Sequence, residues 1–265
     1  MNYVVMFLMV AVLQALATTA NCGVEGAQTL KEISGRLIET YQDYIDGADE
    51  TTLIWRDGTR MPLDVEPKPP GSAEWLEKPS VADMLRVPYP LGQLAQPPHA
   101  GADPGRARNQ AFFRKVYGDC RSGAVNKELV DVIWLPKKSS QRLRVTRING
   151  VAEQLQRVSD ELDKLSSKFD KFLIPSAGTY NCRVIAGTDR ISAHGYGIAI
   201  DIAIKHTDYW RWAKPASGAS PRYRNRIPYE IVEIFERHGF IWGGKWHHFD
   251  TMHFEYRPEL LPIAR

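Results

Sequence analysis

The 265-residue sequence has little cysteine, no strong charge of one sign and no apolar run of the ~20 residues that a bilayer span requires. Three cysteines without a Cys-x-x-Cys pair exclude a disulfide-dense scaffold and a thiolate zinc site. A net charge of +3 suits an anionic surface but is too weak to argue for nucleic-acid binding. Ordinary fractions of hydrophobic (43%) and charged (25%) residues exclude a disordered chain.

The cysteines allow one internal bridge. Cys120 and Cys182 can form a disulfide in an oxidising compartment, or they can stand as two small buried side chains. The sequence leaves both interpretations open.

The first twenty residues predict a secretory signal peptide. Tyr3 to Leu13 is an unbroken apolar run, and Ala15-Leu16-Ala17 matches a small-x-small cleavage pattern. No Lys or Arg precedes the run, so an uncleaved anchor or a buried N-terminal helix is the alternative. Residues 1–20 therefore predict export to the periplasm or the extracellular space, with no stable membrane insertion after cleavage.

Helices and strands are predicted to alternate along the chain without a regular βαβ rhythm. An apolar residue every three or four positions predicts helices, and short β-branched or aromatic runs predict strands. Prolines make long regular elements improbable between residues 62 and 104. The predicted helices are 29–44, 106–117, a six-turn helix over 150–172, and 229–237; the predicted strands are 53–55, 130–135, 143–146, 179–185, 197–204 and 252–256. This order predicts an α+β fold with a small, mostly antiparallel sheet and flanking helices.

One predicted strand presents a carboxylate among small side chains. Ile198, Ile200, Ile202 and Ile204 share its apolar face, while Asp201 lies on the opposite face between two alanines. Small neighbours leave room beside the acid for a metal ion or a ligand.

His194 and Asp201 can share a metal ion only if the chain reverses between them. Seven extended residues would span ~23 Å, whereas two ligands of one zinc ion lie within ~4 Å of each other. Gly195 and Gly197 permit such a reversal, so the sequence predicts a tight turn there.

The last predicted strand offers a third ligand. Its alternation places His253 and Glu255 on one face, and Asp250 lies three residues before His253. Two histidines and one carboxylate that leave an open position are typical of catalytic zinc. Asp250 is a candidate base that takes a proton from the attacking water.

Arg183 lies on the polar face of the predicted strand 179–185. Its guanidinium can stabilise the oxyanion of a tetrahedral intermediate, or it can hold a substrate carboxylate through two hydrogen bonds.

Residues Ser192-x-His194-x-x-Gly197-x-Ala199-x-Asp201, followed by Asp250-x-x-His253, resemble the M15 metallopeptidases. These are zinc D-alanyl-D-alanine carboxypeptidases and L-alanyl-D-glutamate endopeptidases that cut peptidoglycan stem peptides. The resemblance implies Zn²⁺ held by His194, Asp201 and His253, with Asp250 as the catalytic base. It implies Arg183 as the transition-state arginine, with Arg190 also near, and Ser192 as a substrate contact.

Two further substrate contacts are predicted after Gly243-Gly244. Trp246 can line a peptide groove, and of the adjacent His247 and His248 at most one can face the site; His248 is taken as the candidate. The other interpretation is a turn between packed aromatic side chains.

The sequence predicts an exported zinc peptidase acting on peptidoglycan stem peptides, with a D-alanyl-D-alanine carboxypeptidase favoured over an endopeptidase. The alternative to an enzyme is a non-catalytic, zinc-containing module that binds the cell wall. Residues 25–147 are predicted to form an N-terminal extension that wraps an M15-like peptidase domain at 148–265.

Overall fold

The computed structural model describes residues 28–64, 66–213 and 222–262. The signal peptide predicted at residues 1–20 lies outside the described residues. The α-helices are α1 (Leu30–Thr40), α2 (Ala73–Glu77), α3 (Gln110–Tyr117), α4 (Val151–Leu162), α5 (Asp170–Leu173) and α6 (Tyr229–Arg237). No helix in the described part of the chain has both the length and the apolar character needed to cross a membrane.

The strands form three small sheets, and every strand pair in them is antiparallel. The strands are β1 (Ile45–Ala48), β2 (Thr52–Trp55), β3 (Arg60–Pro62), β4 (Leu129–Trp134), β5 (Gln141–Thr146), β6 (Ala199–Asp201), β7 (Phe240–Trp242) and β8 (His253–Tyr256). Their orders are β1-β2-β3, β4-β5 and β6-β8-β7. The predicted α+β class is confirmed, with the strands distributed over three sheets instead of one.

Helix α1 begins where its sequence predicts and ends one turn early. Thr29 caps it with a capping box, in which the Thr29 side chain accepts from the Glu32 amide and Glu32 accepts from the Thr29 amide. The predicted extension to Tyr44 is wrong because the chain turns to enter β1. Tyr41 remains fully buried, and its hydroxyl donates to Glu259 Oε2 at 3.0 Å.

The predicted single helix over 150–172 is broken into α4, a short 3-10 segment and α5. Asp163, just after α4, accepts from the Lys137 amide at 2.9 Å, and Ser166 has an extended backbone with ψ 146°. Serine and aspartate favour helix ends because their side chains compete for backbone hydrogen bonds. Phe169 and Phe172 nevertheless stay buried, so the apolar stripe correctly predicted the core.

The predicted strand 179–185 is wrong. Its backbone does not pair regularly with one neighbouring strand. The Tyr180 amide donates to the Arg144 carbonyl, and the Asn181 amide donates to the His194 carbonyl. Val184, an apolar residue of this segment, is 44% exposed instead of packed in the core. Cys182 is joined to Cys120 by a disulfide, which settles the question that the sequence left open.

Strand β6 is shorter than the predicted 197–204. Ile198, Ile200 and Ile202 are fully buried as expected, but Ile204 begins a 3-10 turn and is 49% exposed. The prediction for the β6 core is confirmed, and the prediction for its last apolar residue is wrong.

Residues on both sides of the predicted boundary at 147 contribute to one hydrophobic core. The Phe113 ring lies 5.5 Å from the Tyr196 ring, and the Trp134 ring lies 6.3 Å from the Phe235 ring. The N-terminal residues thus pack directly against the elements that hold the site described below.

Candidate metal centre

His194 and Asp201 are brought together by the predicted turn. Ala193–Tyr196 form a 3-10 helix, and Gly197 follows with φ +70°, a backbone conformation that glycine adopts without strain. A Cβ on Gly197 would also meet the Thr146 amide nitrogen at 2.9 Å. The reversal therefore requires glycine for its backbone angle and for the close approach of β5.

His253 reaches the same point through strand pairing. β6 and β8 are antiparallel neighbours, and Asp201 lies directly opposite His253. Side chains of directly opposed residues share one face of a sheet. The pairing register therefore places this histidine beside the carboxylate.

The three side chains form one compact donor set. His194 Nε2 lies 3.2 Å from both Asp201 Oδ1 and His253 Nδ1, and His253 Nδ1 lies 2.8 Å from Asp201 Oδ1. Ligand distances of ~2.0 Å around a tetrahedral zinc ion correspond to donor separations of about 3.3 Å. These residues therefore fit a divalent metal ion, and the predicted grouping of the three side chains is confirmed.

The second nitrogen of each histidine supports the same conclusion. His194 Nδ1–H donates to the Thr179 carbonyl at 2.5 Å, and His253 Nε2–H donates to Glu255 Oε1 at 3.0 Å. Both acceptors require a proton on those nitrogens, which leaves the other ring nitrogen of each histidine directed at Asp201. Metal-ligating histidines are typically oriented by such outer hydrogen bonds.

Without a metal ion, the donor set holds a proton. Burial lowers the pKa of His253, but hydrogen bonds to Asp201 and Glu255 outweigh burial and raise the pKa to about 10. Burial raises the pKa of Asp201, yet the nearby His194 and the hydrogen bonds from both histidines hold that pKa well below its usual range. His253 is therefore protonated at neutral pH, and Asp201 is ionised.

Zinc binding is consequently expected to release about one proton at pH 7, because the ligating nitrogen must lose its proton. Since the His253 pKa is raised to about 10, this release should persist through neutral pH and vanish only well above it. Calorimetric titration in buffers of different ionisation enthalpy measures the proton count. A zinc-binding enthalpy that is the same in all buffers at pH 7 would contradict this assignment.

Asp250 lies beside the donor set and is held by a turn. Its amide donates to the Gly243 carbonyl at 3.0 Å, and its carbonyl accepts from the His253 amide at 3.2 Å. A Cβ on Gly243 would meet the Asp250 carbonyl oxygen at 2.6 Å, so this turn requires glycine. A turn thus holds Asp250 close to His253.

The Asp250 side chain is half-buried at the cleft, and its carboxylate is free to act on a ligand. Its Oδ1 has no hydrogen-bond partner among the described residues. Burial, reinforced by the charge of Asp201, raises the pKa of Asp250 to about 6. A carboxyl group with this pKa is a base near neutral pH and can also return a proton.

One cleft runs along this site, and it contains Asp201, His253 and Asp250. Ser192 and Trp246, both predicted substrate contacts, line it and are largely buried. The Trp246 ring lies 5.7 Å from the His253 ring. The structure thus brings these predicted residues together.

His248 also lines the cleft, whereas its neighbour His247 is not among the lining residues. The His248 Nδ1 is 2.7 Å from Oδ2 of Asp103, a fully buried carboxylate. The Trp210 ring packs edge-on against the imidazole at 4.8 Å. Asp103 therefore orients His248 along the cleft wall.

Arg183 lines the cleft as an exposed side chain and forms no ion pair with the described residues. Arg190 is not among the cleft-lining residues; its Nε lies 3.3 Å from Glu77 Oε1. The placement favours Arg183 over Arg190 as an arginine that can meet a substrate.

Sequence reasoning missed one wall of the cleft. Residues 102–108, called the wall segment below, contact the 246–248 stretch through backbone groups. The Trp246 indole donates to the Pro104 carbonyl at 2.6 Å, and the His247 amide donates to the Ala102 carbonyl at 2.7 Å. The wall segment contributes Arg106 and Arg108 to the cleft. No local pattern marks Arg108, because its partner Glu255 lies 147 residues away in the sequence.

The site combines two nitrogen donors, one carboxylate donor and a separate unpartnered carboxylate. This composition is typical of metal-dependent hydrolases. The comparison with known families is more specific. A family model described as D-alanyl-D-alanine carboxypeptidase matches residues 186–256. This segment contains His194, Asp201, Asp250 and His253, and the match supports its assignment to the M15 family metallopeptidases. No curated protein and no solved structure gives a significant match to the chain.

Proposed function

We propose that this chain is a zinc-dependent D-alanyl-D-alanine carboxypeptidase that acts on peptidoglycan stem peptides. One observation carries the proposal: the three-donor metal site opens through Asp201 and His253 into a cleft that also holds Asp250, a carboxylate with a buried, unpartnered oxygen. The matched family supports a peptidase of the cell wall, and the particular bond that is cut is our inference.

In this proposal His194, Asp201 and His253 hold the zinc ion. Zinc in such a site acts as a Lewis acid that polarises the scissile carbonyl and lowers the pKa of water. Asp250 accepts a proton from the attacking water as the new C–O bond forms. It then donates that proton to the leaving amine nitrogen as the C–N bond breaks, which restores its carboxylate.

Arg183 is proposed to stabilise the negative charge that develops on the carbonyl oxygen. Its exposed guanidinium lines the cleft and is not engaged by an acidic side chain of the described residues. Donors that are already in place at a developing oxyanion supply much of the stabilisation in acyl transfer. Ser192, Trp246 and His248 are proposed to contact the peptide.

A free C-terminal carboxylate of the substrate suits this cleft. Arg106 and Arg183 line it together with acidic residues of the site. Guanidinium groups bind carboxylates through paired hydrogen bonds. This supports removal of a terminal residue over internal cleavage.

We also propose that the enzyme acts outside the cytoplasm, where peptidoglycan lies. The signal peptide predicted at residues 1–20 would export the chain. The Cys120–Cys182 disulfide supports this proposal, because disulfides persist mainly in oxidising compartments.

The proposal is tested with the zinc-loaded chain without residues 1–20 on a stem pentapeptide that ends in D-Ala-D-Ala. Mass spectrometry should show loss of one terminal alanine, and a chelator should abolish this loss. Cleavage after the first L-Ala would instead identify an endopeptidase of the same family. Retention on cell-wall material without any cleavage would favour the non-catalytic binding module.

A further inference from the structure

A buried arginine from the N-terminal region reaches the outer shell of the metal centre. Arg108 Nη1 lies 2.7 Å from Glu255 Oε1, and the same oxygen accepts from His253 Nε2 at 3.0 Å. Arg108 and Glu255 are both almost completely inaccessible to solvent. One carboxylate oxygen thus joins the arginine to a proposed metal ligand.

Arg108 makes the shortest polar contact to the Glu255 carboxylate and holds it in place. The other oxygen, Oε2, has no hydrogen bond among the described residues, and the nearest cation, Arg257, lies 3.6 Å from it. Without Arg108 the carboxylate would keep only its contact to His253 and this longer ion pair. The orientation of Glu255 therefore depends on Arg108.

The position of Arg108 is itself fixed by the wall segment. Arg257 Nη1 donates to the Gly105 carbonyl at 2.7 Å, and the Trp246 indole donates to the Pro104 carbonyl. These bonds attach residues 104 and 105 to the same strands and turns that carry the site. These two hydrogen bonds therefore help to hold Arg108 at a position from which its guanidinium reaches Glu255.

We propose that Arg108 is a positioning residue of the metal centre, which fixes the Glu255 carboxylate so that Glu255 holds the His253 ring in its ligating orientation. This inference rests on the proposed metal centre and goes beyond it. It assigns to the N-terminal region a part in metal binding, although that region lies outside the matched family segment. Outer-shell partners of ligating histidines typically contribute roughly 10- to 100-fold to metal affinity.

The test is the zinc dissociation constant, measured by competition with a chromophoric chelator, so that peptidase activity is not needed. Arg108→Met should weaken zinc binding by roughly 10- to 100-fold, and Arg108→Lys should recover part of this loss. The matched control is Arg190→Met, which removes another buried arginine that does not contact Glu255. This control should change zinc affinity by less than about twofold.

A double-mutant cycle distinguishes an effect of Arg108 that acts through Glu255 from a general loss of protein stability. In the Glu255→Gln background, Arg108→Met should add less than about threefold, because Arg108 acts through Glu255. If Arg108→Met does not fold, the cycle of Arg108→Lys with Glu255→Gln gives the same comparison. In NMR spectra of the zinc-loaded chain, the His253 Nε2–H should exchange faster in the folded Arg108 variant than in wild type.

Wild-type zinc affinity in folded Arg108→Met would overturn the inference. An equal loss in Arg190→Met, or additive losses in the cycle, would overturn it as well. Failure of the metal centre looks different, since the wild-type chain itself would then bind no zinc.

Discussion

Asp250→Asn is expected to lower kcat by roughly 10²- to 10⁴-fold while zinc still binds, because the amide cannot accept the proton of the attacking water. The metal should remain, since Asp250 is outside the three-donor set. The variant should also fold, because a charged carboxylate with a buried, unpartnered oxygen costs folding free energy that the neutral amide avoids. The measurement is kcat together with zinc content for wild type and variant.

Asp208→Asn provides the matched control. Asp208 is close in space, since its amide donates to the Thr251 hydroxyl, but its carboxylate pairs with Arg226 and is not among the cleft-lining groups. The control should retain turnover within a few-fold of wild type. Loss of both zinc and turnover in Asp250→Asn would make Asp250 a ligand or a structural residue. Full turnover in that variant would remove it from the mechanism.

His253→Ala is expected to abolish zinc binding at micromolar metal and to remove peptidase activity. The change deletes one of three donors, which should cost more than the roughly 10- to 100-fold lost with an outer-shell partner. It also leaves Asp201 without its closest hydrogen-bond donor, 2.8 Å away. Zinc affinity and turnover are measured on the same preparation.

His99→Ala is the control for this substitution, because His99 is an exposed histidine that does not line the cleft. Zinc affinity and turnover should both be unchanged in it. If His253→Ala retained stoichiometric zinc and full turnover, the ligand assignment would be wrong.

The parts of the site that the sequence predicts are those set by local geometry. Alternation along β8 places His253 and Glu255 on one face, and Gly197 provides the turn between His194 and Asp201. These features depend on residues a few positions apart. The sequence predicts them because side chains alternate along a strand and because glycine is the residue that favours a positive φ.

Elements whose hydrogen bonds come from distant residues were predicted wrongly. The helix expected over 150–172 breaks where Asp163 bonds the Lys137 amide, and the strand expected over 179–185 bends where Tyr180 bonds Arg144. Propensity cannot anticipate such contacts, because tertiary hydrogen bonds override weak local preferences.

The role of the wall segment could not be predicted either, because its key contact is also made to a residue far away in the sequence. Arg108 and Glu255 are 147 residues apart in sequence and are joined by one hydrogen bond. In the sequence, Arg106 and Arg108 stand in a proline-flanked stretch that indicates only a loop and a short helix. Only the folded chain shows that this stretch meets the outer shell of the metal centre.

The central claim is tested most directly by the position of a bound zinc ion. Crystals grown with one equivalent of zinc, measured above and below the zinc absorption edge, locate the ion by anomalous scattering. We predict one zinc ion per chain, about 2 Å from His194 Nε2, Asp201 Oδ1 and His253 Nδ1. Zinc bound elsewhere, or no zinc in a chain whose peptidase activity survives chelation, would contradict it.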